Sequence, residues 1–168
     1  AKHFKPAMEV VMADTLAAYQ KIANNPGSPT FDNTIVAMEN VGQKMERTFI
    51  LFSIWSSAKS SEELQKVEKE MAPILSSFSD KIVQNQKLFE RINTLYAGRD
   101  KGNYTPEQKR LLWLNYTTFK KRGAALNPDQ KKRVAELNKK MAVLTTQFSQ
   151  NQLADEENDH LHITAESD

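Results

Sequence analysis

The sequence predicts an all-α fold: about six helices in an antiparallel bundle or array, followed by an irregular acidic C-terminal tail. Three observations carry that prediction. Apolar residues recur three and four apart through most of the chain, the spacing of one helix face. Of the 5 glycines, Gly27, Gly98, Gly102 and Gly123 stand where that periodicity stops, and only Gly42 lies inside a periodic run. Pro6, Pro106 and Pro128 sit where helices open, and Pro26 and Pro29 flank a loop.

The first helix is expected from about Lys5 to Asn24, with Met8, Val11, Met12, Leu16, Tyr19 and Ile22 on one face. Asn24 to Pro29 reads as a loop. The second is expected as one run from about Asp32 to Lys59, striped by Ile35, Met38, Met45, Phe49 and Phe52. Its segment Phe49 to Trp55 is apolar nearly all round, so it needs cover on more than one side. The third opens at Ser60, with Glu63 completing a capping box. It carries Leu64, Val67, Met71, Ile74, Phe78 and Ile82, and Pro73 predicts a kink in it.

The fourth is short, Gln86 to Ala97, with Leu88, Phe89, Ile92, Leu95 and Tyr96 inward. The fifth and sixth open alike. Thr105-Pro106-Glu107-Gln108 and Asn127-Pro128-Asp129-Gln130 each supply a cap, a proline at the first position and a glutamine at the third. The fifth points Leu111, Leu112, Tyr116 and Phe119 inward and stops by Gly123. The sixth runs to about Leu153, with Val134, Leu137, Met141, Leu144 and Phe148 as a coiled-coil-like seam. Residues 1–153 are therefore expected to form a helical domain, and 154–168 a connector that alternates like a short strand near Leu161 and Ile163.

With 168 residues, a net charge of +2 and a mean hydropathy of −0.61, the chain reads as one soluble globular domain. No stretch has the ~20 apolar residues of a membrane helix. The absence of cysteine excludes disulfides, thiolate metal sites and cysteine nucleophiles. It fits the cytoplasm and leaves the periplasm open. The start at Ala1, with no hydrophobic signal core, suggests a processed chain or a piece of a longer one.

No catalytic apparatus can be read from the residues. There is no H-E-x-x-H helix and no phosphate-cradling glycine loop. Glu157 and His160 match one Glu-x-x-His motif, but a di-iron bundle needs two such motifs and two further glutamates. A metal role for Asp155, Glu157, His160 and His162 is disfavoured, and the stretch reads as a solvated connector. His3 reads as a packing or capping residue. The clusters Lys120-Lys121-Arg122, Lys131-Lys132-Arg133 and Lys139-Lys140 read as a solvated face in which Glu136 pairs with Lys132 and Lys140. Phe49, Phe52, Trp55, Trp113 and Tyr116 could line a ligand cavity, but their helical spacing favours core packing.

Several strings, in order, resemble the N-terminal helical region of the thimet oligopeptidase (M3) family of zinc metallopeptidases, in its bacterial peptidyl-dipeptidase and oligopeptidase A branch. They begin with His3 to Ala7, Asn24 to Pro26 and Pro29 to Thr34, followed by Glu70 to Pro73. Gln108 to Leu112, Gly123 to Leu126 and Leu144 to Asn151 complete the series. The resemblance implies a non-catalytic, substrate-gating domain that helps wall a channel for short peptides, joined to a zinc-bearing catalytic domain of the same polypeptide. No residue here matches that family's zinc ligands or general base, so no catalytic, cofactor or metal residue is assigned, and the chain alone is expected to be inactive. On this reading, Phe49 to Trp55 and Leu111 to Leu114 would pack on the catalytic half. Nucleic acid and membrane are not expected partners. The alternatives are a stand-alone helical interaction module, or a weak nucleic-acid binder through the Lys120–Lys140 surface.

Overall fold

A computed structural model describes residues 2–59 and 61–158. Its elements in chain order are α1 (Phe4–Ala23), a π-helical turn (Phe31–Val36) leading into α2 (Ala37–Asn40), then α3 (Gln43–Ala58) and α4 (Glu62–Val83). They continue with α5 (Gln86–Ala97), α6 (Pro106–Lys121) and α7 (Pro128–Asn158). No strand occurs among the described residues, and the six long helices bear out the all-α class.

Local chemistry explains the helix starts. Thr105 Oγ1 accepts from the Gln108 N–H, and the Gln108 side chain accepts from the Thr105 N–H. Asn127 and Gln130 make the same reciprocal pair ahead of α7. Each box satisfies two N–H groups that the first turn leaves unpaired. Asn85 caps α5 by accepting from the Leu88 N–H. The cap of α4 is Ser61, which accepts from the Leu64 N–H; Ser60, where the sequence places the cap, lies outside the described residues. The helix continues through Pro73.

The expected single helix from Asp32 to Lys59 is two. Val41 is extended and Gly42 has φ +98°, left-handed backbone that glycine adopts at little cost. The chain turns there and α3 begins afresh. At the other end, α7 runs to Asn158 rather than stopping near Leu153.

Neighbouring contacts set the directions. Lys5 reaches Glu70 at 2.6 Å, and further along α1 Leu16, Tyr19 and Gln20 line a cavity with Lys81 and Ile82, so α1 and α4 lie side by side and parallel. Phe4 meets Phe52 edge-on, ring centroids 5.3 Å apart, so α3 returns antiparallel to α1. Lys131 bonds the Gln84 carbonyl, Asn138 bonds Asp80, and Gln150 bonds Glu68 and the Gln65 carbonyl. These rungs lay α7 antiparallel along α4.

The interior is divided. One cluster joins α1, the π turn, α2, α5 and α6 through Ile22, Ile35, Met38, Leu88, Ile92 and Leu112. The other joins α1, α3 and α4 through Met8, Met12, Phe52, Leu64 and Met71. No helix among the described residues is long and apolar enough to cross a membrane.

Candidate functional site

The largest unpartnered features are apolar helix faces. On α3 only Phe52 is buried. Phe49, Ile50, Leu51, Ile54 and Trp55 are 44–56% exposed. On α6, Leu112 and Phe119 face the core, while Trp113 and Leu114 face outward. The Arg110 guanidinium covers one face of the Trp113 ring at 4.3 Å. Core packing therefore fails for Phe49, Trp55 and Trp113, whereas Phe52 is buried and Tyr116 is half-buried against Tyr96 and Phe89.

The coiled-coil-like seam of α7 is largely exposed. Leu137, Met141, Leu144 and Phe148 keep their three-and-four spacing but point away from α4, at 44–69% exposure. The face that meets α4 carries Lys131, Asn138 and Gln150. Those polar groups find partners at α4, and the apolar stripe is left exposed among the described residues.

A buried cation organises the loop between α1 and the π turn. Arg91 of α5 donates from Nη1 to the carbonyls of Asn25 and Gly27, from Nη2 to Asn33 Oδ1, and from Nε to Thr34 Oγ1. Burial lowers its pKa, but an arginine starts so far above neutral that it stays charged at neutral pH. Asn33 also accepts from the Thr30 N–H and donates to the Ser28 carbonyl. Sequence reasoning missed this residue. Its signal was available: Arg91 falls between Leu88, Ile92 and Leu95 on the inward stripe of α5, where a charge must find partners.

The basic clusters are partly spent within the fold. Lys131 donates to the Gln84 carbonyl and Gln86, Arg122 to Ser79, and Lys120 lies over the Tyr116 ring. Glu136 pairs with Arg133 at 3.3 Å, not with Lys132 or Lys140. Asp155 is exposed on α7. His160 and His162, the side chain of Glu157, and the strand expected near Leu161 lie outside what the structure describes. Among the described residues, no three His, Cys, Asp or Glu side chains come together to hold a metal ion.

The family model described as the neurolysin/thimet oligopeptidase N-terminal domain matches residues 8–132. The chain belongs to this family. That matched segment contains both apolar clusters and the Arg91 cage. The chain is 32% identical over 152 residues to the dipeptidyl carboxypeptidase of Escherichia coli (strain K12) and 30% identical to that of Salmonella typhimurium. It is 24% identical to the oligopeptidase A of Haemophilus influenzae. Each alignment covers 90% of this chain and 22% of the relative. The chain thus spans about a fifth of the length of the curated relatives it matches. In this thimet oligopeptidase N-terminal domain, the stripes of α3, α6 and α7 face outward and are exposed among the described residues.

Proposed function

We propose that this chain is the non-catalytic, channel-forming and substrate-gating helical domain of a zinc-dependent oligopeptidase, a peptidyl-dipeptidase acting on short peptides. The observation that carries this reading is the simultaneous exposure of apolar faces on α3, α6 and α7. Fully burying one such Leu, Ile or Trp side chain is worth roughly 1.5–3 kcal/mol. A catalytic domain of the same polypeptide supplies that cover. Residues 1–153 serve as the gating domain and 154–168 as the connector, which begins inside α7.

The residues present do not fit a zinc site. The sequence has no H-E-x-x-H, and the described residues hold no cluster of metal-binding side chains. The zinc belongs to the remainder of the parent polypeptide, and no chemical step is assigned to this chain. Its role is steric: rigid helices narrow the approach to the reacting centre, admit unstructured peptides and keep folded proteins out.

The test compares the parent polypeptide with the 168-residue chain alone on short peptides with free C-termini. The parent should release dipeptides in a zinc-dependent way, and the isolated chain should release none. Hydrolysis by the isolated chain, or none by the zinc-loaded parent, would overturn the reading.

A further inference from the structure

We infer that the groove between α1, α4 and α7 binds a short zwitterionic peptide of about three residues with apolar side chains. The groove has a cavity volume of about 410 Å³, within the ~300–1,000 Å³ range of small-ligand sites. Its floor is apolar: Met12 and Leu16 from α1, with Ile74 and Phe78 from α4. Its charges sit at opposite ends. Lys5 meets Glu70, which sets Glu9 level with the region of Ile74, and Lys81 shares a cavity wall with Leu16. Asn138 bonds Asp80, which brings its neighbour Lys139 to the Lys81 end.

Glu9 and Leu16 are two turns apart on α1, roughly 11 Å at the helical rise. None of the ion pairs among the described residues uses Glu9, Lys81 or Lys139. The groove therefore presents one carboxylate, an apolar floor about 11 Å long and two amines. An extended tripeptide matches this. Residues rise ~3.4 Å each, which places its ammonium and carboxylate on the order of 10 Å apart. The ammonium goes to Glu9, the carboxylate to Lys81 and Lys139, and the side chains to the floor. A fatty acid would satisfy the lysines and leave Glu9 facing hydrocarbon, which disfavours it. The site borders the outward stripe of α7, since Lys139 also lies beside Val143 and Leu144, and its test needs no peptidase activity.

The experiment titrates the 168-residue chain calorimetrically with Leu-Gly-Leu, its N-acetyl form and its C-terminal amide. The free peptide should bind in the millimolar range, and each cap should weaken binding about threefold, the scale of one exposed ion pair. Glu9→Gln should weaken the free peptide and leave the acetylated one unchanged. Lys81→Gln with Lys139→Gln should weaken the free peptide and leave the amide unchanged. All three side chains are exposed, so the variants keep the helical circular dichroism of the parent chain. Equal affinity for the three peptides, or no binding at about 10 mM, would overturn the inference. So would decanoate binding that ignores Glu9 while the peptides fail to bind.

Discussion

Asn138 on α7 donates a 2.8 Å hydrogen bond to the Asp80 carboxylate on α4, while its neighbour Leu137 faces outward. The polar residue is the inward one. Asp80 is buried, and its other oxygen, Oδ2, has no partner. Asn138→Leu therefore removes the donor that this carboxylate has from α7 and should destabilise the chain by about 1–3 kcal/mol. Leu137→Ser should change stability by less than about 0.5 kcal/mol, because it alters only exposed surface. Urea denaturation of both variants checks the order; a larger loss at Leu137 would mean that the seam is internal after all.

Arg91 ties four acceptors of the 25–34 loop to α5. Arg91→Met leaves those groups without their donor and should cost about 2–4 kcal/mol. Arg91→Lys keeps the charge but cannot reproduce the planar fork, so it should recover only part of the loss. Faster amide exchange confined first to residues 25–34 is the expected signature.

Gly42 tests whether the break between α2 and α3 is built into the backbone. A Cβ there would meet nothing within 4 Å, so the cost of Gly42→Ala is conformational alone. At φ +98° that cost should be about 1 kcal/mol. A stabilised variant would indicate that one continuous helix is the native form.

The Lys5–Glu70 pair predicts a pH window. Both side chains are about 40% exposed, and they meet at 2.6 Å. The hydrogen bond and charge of Lys5 hold Glu70 below its ordinary 4.5, so that contribution is present above 4.5 and lost as pH falls through the lower folded value. The same contact holds Lys5 above its ordinary 10.5, so its contribution is full below 10.5 and lost as pH rises through the higher folded value. The Tm difference between the parent chain and Glu70→Gln should be greatest near neutral pH, fade in acid, and shrink in ~1 M salt. A difference that persists in acid would assign the effect to packing.

Local signals were legible in the sequence and long-range ones were not. The bounds of α5 and the paired boxes at Thr105–Gln108 and Asn127–Gln130 could be read because capping is settled within four residues. The break at Gly42 was hidden because Ile35, Met38 and Met45 keep a helical rhythm across it. Periodicity shows that the seam of α7 is a face that needs cover, not what covers it. The α4 side of α7 is polar, and its rungs at Asn138 and Gln150 depend on residues more than fifty positions away. Arg91 was passed over for the same reason, since its acceptors lie on a distant loop.

The proposed catalytic half would cover the outward faces of α3, α6 and α7. The most direct measurement is hydroxyl-radical footprinting of Trp55, Trp113, Met141 and Phe148 in the isolated chain and in the parent polypeptide. All four are exposed here and should label readily in the isolated chain. In the parent their labelling should fall several-fold, while exposed controls such as Val10 stay unchanged. Equal labelling of the four residues in both forms would contradict the claim.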